Sequence, residues 1–239
     1  MPQYDAIATL YAKIHRLPTF AYGFNASFLK MVGDVKDKTA LDLACGAGQV
    51  TFELFERGAA SVLGVDESDE MLKIARQDSR ATRVRFLHAK VGEMGKIGTF
   101  DVITGSWLLH YSASKGELRR MCDDIVANMA DDAVFYCINS NPLSPLSKIA
   151  KYDDCIEANE PLREGDKLRI THMVDGRPVW FEIYFWHLST YERVLFEAGL
   201  NMDFTTVSPS EEGLRRYGYE FWREFIMSPT AIMMRCIKR

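Results

Sequence analysis

The chain has 239 residues, 47% of them hydrophobic, and 29 basic against 33 acidic side chains give a net charge of −4. That length and apolar content predict one domain with a small elaboration over 1–239. The near-neutral balance, with no block of five like charges, argues against a nucleic-acid partner. No apolar run approaches the ~18 residues of a membrane span, and no charged-then-apolar leader opens the chain, so no membrane partner is expected. The five cysteines, Cys45, Cys122, Cys137, Cys155 and Cys236, show no C-x-x-C spacing. They predict reduced thiols and a cytoplasmic setting rather than a disulfide framework or zinc site.

In chain order, residues 4–16 place Ile7, Leu10, Tyr11 and Ile14 at helical spacing and predict an amphipathic helix that Pro18 ends. A second short helix follows over 25–32. The run TALDLACGAGQV (39–50) then reads as a strand, a tight glycine turn and the start of a helix. This is the first βα turn of an open α/β sheet, where such folds bind a cofactor. Asp42 sits inside the strand. A carboxylate there would repel a pyrophosphate and would welcome a cation. The third glycine of the dinucleotide fingerprint would fall at Thr51, a further mark against NAD. The next strand, SVLGVD (61–66), ends in Asp66, where an acid can take the hydroxyls of a nucleoside ribose.

LDLACGAGQV, then VLGVDES, then Met71 in EMLKIA resembles the class I S-adenosylmethionine-dependent methyltransferases. The resemblance is firm over 39–138 and rests on element order elsewhere. It implies an α/β fold with a Rossmann-like, seven-stranded, mostly parallel sheet, an N-terminal helical cap (1–36), a SAM-binding core (39–138), a lid or β-hairpin insertion (139–188) and a C-terminal helix and strands (189–239). It also implies S-adenosylmethionine as methyl donor and S-adenosylhomocysteine as product. Gly46 and Gly48 would pass close to the methionine part, Asp42 would support its ammonium group, Asp66 would hold the ribose and Met71 would pack on the adenine. Tyr11 matches the aromatic that closes on the methionine end. Ala44 and Ser106 complete the cofactor set at the ends of two strands. After the third strand (84–88) the family places an acid for the adenine amino group. Here Ala89-Lys90-Val91 stands instead, and an ammonium has donors only. Adenine recognition must therefore differ at Lys90 and Val91.

Downstream, residues 100–106 read as the fourth strand and run directly into Trp107-Leu108-Leu109-His110-Tyr111. The family's Asn/Asp-Pro-Pro-aromatic motif for base and amide amino groups does not occur there. Ser114-x-x-Glu117 is a capping box opening a helix to about residue 129, and 133–138 is the fifth strand. Residues 146–160 read as a mobile helix or loop. Two strands, 167–174 and 179–186, are joined by a turn at Asp175-Gly176-Arg177-Pro178. Their alternation puts Val179, Phe181, Ile183 and Phe185 on one face and Trp180, Glu182, Tyr184 and Trp186 on the other. Both faces should be covered, the first by the main domain and the second by a pocket or a subunit contact. Ser189-x-x-Glu192 is a second capping box, with Gly199 ending its helix. Strands at 200–207 and 231–237, separated by 211–227, would close the sheet as an antiparallel pair.

A sulfonium methyl is already electrophilic, so positioning the acceptor can supply the order of ~7 kcal/mol and a general base is optional. His110, beside the crevice, is the candidate base or orienter. His172 shares a face with Leu168, Ile170 and Val174 and reads as core. No histidine spacing suggests a metal. Tyr4, Tyr11, Phe20, Tyr22, Trp107, Tyr111, Trp180, Tyr184 and Trp186 come from segments around the crevice. Together they predict a closed aromatic pocket for a small, planar aromatic or heteroaromatic acceptor. The reading is thus an N- or O-directed, small-molecule methyltransferase, monomeric or homodimeric. It is similar in flavour to secondary-metabolite tailoring enzymes such as the toxoflavin-type azapteridine N-methyltransferases. Methylation of RNA or protein, SAM binding without catalysis, and NAD-linked oxidoreduction are the competing readings.

Overall fold

The computed structural model describes residues 3–144, 152, 154–158 and 161–239. Its strands are β1 (Thr39–Leu43), β2 (Ser61–Asp66), β3 (Arg85–His88), β4 (Phe100–Ser106), β5 (Met129–Ser140), β6 (Asp154–Glu157), β7 (Lys167–Val174), β8 (Arg177–Tyr184), β9 (Leu200–Thr206) and β10 (Ala231–Lys238). Its α-helices are α1 (Ala8–Tyr11), α2 (Asn25–Val32), α3 (Gln49–Glu56), α4 (Asp69–Gln77), α5 (Lys115–Asn128), α6 (Leu188–Glu197) and α7 (Glu211–Met227). Seven strands form one sheet in the order β3-β2-β1-β4-β5-β10-β9. The first five run parallel, and β10 is antiparallel to both neighbours. This is the mostly parallel architecture expected. Chain order reverses between β1 and β4, which makes the carboxyl ends of those two strands the topological switch point.

Side-chain alternation along the strands divides the core between the two faces of the sheet. Ala40, Val62 and Val102 belong to one buried cluster with Phe28 of α2 and Phe52 of α3. Leu41, Leu63 and Ile103 belong to a second with Met121 of α5 and Leu195 of α6. Strands buried on both faces explain the near-continuous apolar runs that marked them in the sequence. The end of α5 also holds the irregular connection between β3 and β4. The Asp124 carboxylate accepts from the backbone N–H groups of Gly92 (2.7 Å), Met94 (3.1 Å) and Gly95 (3.1 Å). Asn128 Oδ1 accepts from Ile97 (2.8 Å) and Gly98 (3.0 Å). No helix among the described residues is long and apolar enough to cross a membrane.

The structure departs from the sequence reading in several places. The expected helix over 4–16 is broken into turns, the single turn of α1 and a 3₁₀ turn at Ile14–Arg16. Neither helical piece has a side-chain cap. Pro18 does not end the run but opens a π-helical stretch, Thr19–Phe24, that continues into α2. The apolar stripe nonetheless packs inward, with Ile14 1% exposed. Ser114 caps α5 as expected, accepting from Glu117 N at 3.1 Å, and Ser68 caps α4. Ser189 does not cap: α6 starts two residues earlier on His187, and Glu164 accepts from His187 N (3.3 Å) and from the Thr190 hydroxyl. The long-range carboxylate displaces the local serine. The expected helix or loop over 146–160 lies mostly outside the described residues. Its described part contributes β6, so the hairpin β7–β8 is a three-stranded sheet in the order β6-β7-β8.

Removing the Asp124 carboxylate, itself 9% exposed, strands three part-buried backbone N–H groups. Asp124→Ala is expected to cost about 3 kcal/mol and to lower Tm by roughly 6–12 °C in a chain of this size. Asp123→Ala, which loses only a solvent-exposed ion pair with Arg119, should shift Tm by no more than ~2 °C. Thermal unfolding of the two variants side by side checks the contrast.

Candidate active site

The switch point is where the backbone is most constrained. Ala44, just after β1, and Trp107, just after β4, both take left-handed conformations, with φ of 54° and 60°. Non-glycine residues adopt that region at a cost and collect at functional sites. Gly46 (φ 53°) and Gly48 (φ 86°) complete the turn. A Cβ at Gly48 would lie 2.6 Å from Phe52, so that glycine serves packing. A Cβ at Gly46 would meet no protein atom within 4 Å, so its open side faces the crevice.

Two acids bracket the turn, in different ways. Asp42 is 1% exposed. It accepts from the Thr51 hydroxyl (2.7 Å) and the Thr104 hydroxyl (2.8 Å), one from α3 and one from β4. Burial pushes its pKa up to about 6. It lines neither cleft described below, and these two hydroxyls are its side-chain partners. Thr51, which sequence reasoning used only to exclude a dinucleotide, proves to be one of them. Asp66 accepts from Gly46 N (2.7 Å) and Ser68 N (2.9 Å). Burial raises it also to about 6, and it borders both cofactor-side clefts.

The larger cleft, about 560 Å³, is bordered by Ala44, Asp66, Lys90, Val91, Leu108 and Glu117. Lys90 Nζ lies 2.9 Å from Glu93 and 3.2 Å from Glu117. Glu117, from the cap of α5, thus brings a carboxylate to the wall where the strand-end acid of the family is missing. A smaller cleft of about 50 Å³ adjoins it between Gly46, Met71, Ser106 and Tyr11. The N-terminal segment covers both. Asp5 accepts from the Ser68 hydroxyl at 2.6 Å, and the Gln3 amide pairs with both backbone groups of Glu182 at 3.0 and 2.9 Å.

Three tyrosines form the inner wall. The hydroxyls of Tyr4 and Tyr111 are hydrogen-bonded, and the rings of Tyr4 and Tyr11 meet edge to face at 4.5 Å. Burial pushes Tyr11 up to about 12 and also raises Tyr4 and Tyr111 well above the ordinary phenol value. All three stay neutral at neutral pH. Behind them lies a third cavity of about 60 Å³, bounded by Phe20, Trp107, His110, Tyr111, His172 and Phe181 among others. Tyr11, Trp107 and Tyr111 line both this cavity and the 50 Å³ cleft.

The expected aromatic set is therefore only partly assembled. Tyr11, Trp107, His110 and Tyr111 converge as anticipated. Tyr4 falls on the cofactor side rather than in the aromatic cavity. Trp180 is 49% exposed, with the Arg169 guanidinium over its ring at 4.3 Å, so its end of that hairpin face is open to solvent. Trp186 is buried and donates to the Ser112 carbonyl at 3.0 Å. It borders a separate 30 Å³ cavity that also touches His110. Glu182 pairs with Lys167 (2.9 Å) and Arg169 (3.7 Å) at the edge of the large cleft. Phe20 lines the cavity as expected, whereas Phe181 and His172 are pocket residues that sequence reasoning assigned to the core. Among the described residues no cluster of three His, Cys, Asp or Glu could hold a metal ion.

Comparison with known proteins agrees with this geometry. Residues 40–132 match a family described as a methyltransferase domain. A ubiquinone biosynthesis O-methyltransferase of Neisseria meningitidis is 30% identical over 122 residues, covering 48% of this chain and 50% of the relative. An N-demethylindolmycin N-methyltransferase of Streptomyces griseus is 23% identical over 67% of this chain and 68% of its own length. The chain spans half or less of the first curated relatives it matches. Over the whole fold, a putative S-adenosylmethionine-dependent methyltransferase from Listeria monocytogenes superposes with a TM-score of 0.65 at 22% identity, covering 97% of this chain and 99% of that one. Residues 40–132 are thus a methyltransferase domain, set in the fold of the class I S-adenosylmethionine-dependent methyltransferases.

Proposed function

We propose that this chain is an enzyme that transfers the methyl group of S-adenosylmethionine to nitrogen or oxygen of a small, planar aromatic or heteroaromatic acceptor. One observation carries this reading: the aromatic cavity and the cofactor-side cleft share Tyr11, Trp107 and Tyr111 as a common wall. A donor on one side and an acceptor on the other meet across that wall. The residues fit the cofactor. Asp66 offers a buried carboxylate for ribose hydroxyls, Gly46 leaves backbone open to close approach, and Glu117 stands at the adenine end with Lys90 fixed beside it. The sulfonium, when bound, supplies the electrophilic methyl. The chain's residues bind, orient and exclude water. The tyrosine wall and the N-terminal segment, tied down through Asp5 and Gln3, keep solvent from the transfer, and positioning supplies most of the rate.

A narrow cavity walled largely by aromatic side chains favours a small acceptor over RNA or a protein side chain on its backbone. Two relatives bear the names of small-molecule enzymes, one O- and one N-directed, which supports the same class. The test is formation of S-adenosylhomocysteine in the presence of a panel of small planar acceptors. Turnover on RNA or protein substrates alone would reject the proposal.

Asp66→Ala should weaken S-adenosylhomocysteine binding by roughly 10- to 100-fold, since hydrogen bonds to a charged group contribute about 1.5–3 kcal/mol. Unchanged affinity in calorimetry would remove Asp66 from the ribose site. Trp180→Ala, at an exposed position, should leave both cofactor binding and turnover within twofold, by the small effects typical of surface substitutions.

The raised carboxyls also set a pH dependence. With folded values of about 6 for Asp42 and Asp66 against an ordinary 3.8, the native state holds more protons than the unfolded chain between those limits. Each group's contribution to stability is therefore greatest below about pH 4 and falls as pH rises to about 6. Cofactor binding has the opposite sign, because ribose hydroxyls and a cationic ligand prefer the carboxylates ionised. Affinity for S-adenosylmethionine should decline as pH falls through 6, and the decline should flatten in Asp66→Asn. Calorimetric titrations from pH 5 to 8 read both.

A further inference from the structure

The aromatic cavity carries information about its occupant in two buried nitrogen atoms. Among the described residues, only Trp107 Nε1, His110 Nε2 and Ser144 Oγ are buried side-chain polar atoms without a hydrogen-bond partner. Trp107 and His110 both line the 60 Å³ cavity. Their rings are stacked, with centroids 5.9 Å apart and planes 26° from parallel. Ser144 borders the neighbouring 30 Å³ cavity, and a hydroxyl can donate or accept, so it does not discriminate.

An indole N–H can only donate. For His110 the role follows from its other nitrogen. Nδ1 lies 3.4 Å from Ser140 N, a backbone donor with no acceptor capacity, and 3.3 Å from the Ser140 hydroxyl. Facing that N–H, Nδ1 must be the acceptor. The ring is 2% exposed, and burial, only partly offset by the Trp107 carbonyl, pulls its pKa down to about 3. A neutral imidazole that accepts at Nδ1 carries its proton at Nε2. His110 thus carries a second donor, not a base, in the wall of the cavity, closed off from its open space by neighbouring side chains.

We propose that the acceptor molecule presents hydrogen-bond-accepting atoms, carbonyl oxygens or pyridine-type ring nitrogens, to Trp107 Nε1–H and His110 Nε2–H. The substrate class is an electron-poor, acceptor-bearing planar ring rather than one bearing N–H or O–H groups on that edge. The inference rests on the reading of the 60 Å³ cavity as the acceptor site. Two buried donors discriminate strongly in such a place, since a ring without acceptors leaves both unpaired. An engineered cavity of 150 Å³ holds benzene, so a ring that enters this one parts the side chains that close it. The discrimination then lies in hydrogen bonding more than in preformed shape. His110 acts as a positioning donor that fixes the ring's orientation.

The test uses the full chain loaded with S-adenosylhomocysteine and two bicyclic rings of one shape, quinoxaline with two ring nitrogens and naphthalene with none. Trp107→Phe and His110→Phe keep an aromatic ring and remove one donor each. Either variant should weaken quinoxaline about tenfold and leave naphthalene within twofold. In the unaltered protein the Trp107 indole proton resonance, assigned through its proximity to the Phe20 and Phe24 rings, should move downfield with quinoxaline and not with naphthalene. That second readout stands even if a variant fails to fold. Equal effects of the variants on both rings, or an indole proton that quinoxaline does not move downfield, would overturn the donor assignment while leaving the cavity as the acceptor site. If S-adenosylhomocysteine binds and neither ring does, the acceptor-site reading fails, and the inference with it.

Discussion

A carboxylate in the middle of an open sheet covered on both faces is the constraint on which the rest of this molecule depends. Asp42 lies on β1, flanked by β2 and β4 and almost wholly removed from water. Burial of an unpartnered charge would cost several kcal/mol, and two hydroxyls offset it. Thr104 binds it from the adjacent strand and Thr51 from the helix that follows the glycine turn. The same bonds therefore fix the register of β1 on β4 and the seating of α3 on both. Only with α3 so placed does the turn between them have one shape. Asp66 continues the chain of constraint by taking the N–H of Gly46. The sheet's two inner acids thus define the cofactor turn from below and from the side.

The strain at Ala44 and Trp107 makes sense in that frame. These residues end the two strands that diverge at the switch point, and each turns its backbone sharply to clear the crevice. The turn at Trp107 swings the indole out of the β4 direction and back over Phe20 and Phe24, at ring distances of 6.0 and 5.2 Å. One strained residue thereby belongs to both halves of the site. It follows the cofactor's strand in sequence and walls the aromatic cavity in space.

How much of this the sequence shows depends on the range of the interactions. The glycine turn, the acids at 42 and 66 and the strand–helix alternation are local, set by residues a few positions apart, and they were legible. So were the caps at Ser68 and Ser114. The cap of α6 was not, because Glu164 reaches it from another segment and displaces Ser189. The hairpin shows the same limit more sharply. Its alternation was read correctly, but a period of two leaves open which face meets the sheet domain and which meets water. The face of Phe181 does both inward tasks, packing on the core and walling the cavity, while Trp180 turns outward under Arg169. His172 pairs across the hairpin with Val179, on the face of Phe181, and so belongs to the cavity wall as well as the core.

That division has a consequence for how such a chain can change. The cofactor half is held by backbone geometry and by buried acids whose hydrogen bonds are shared among three elements, so single substitutions there act on the fold as well as the ligand. The aromatic cavity is assembled from side chains far apart in sequence, from Tyr11, Phe20 and Phe24 through Trp107, His110 and Tyr111 to Ser140, Ile156, Ile170, His172, Phe181 and Thr230. A change of one aromatic side chain in that wall alters the space and the donors of the cavity without moving Asp42, Asp66 or the turn between them. On the proposed function, transfer by positioning asks nothing more of the aromatic side than a ring held against the shared wall of Tyr11, Trp107 and Tyr111. The physics that fixes the glycine turn is thus rigid, and the physics that shapes the aromatic cavity is modular, which is why the first is written in a short stretch of sequence and the second only in the folded molecule.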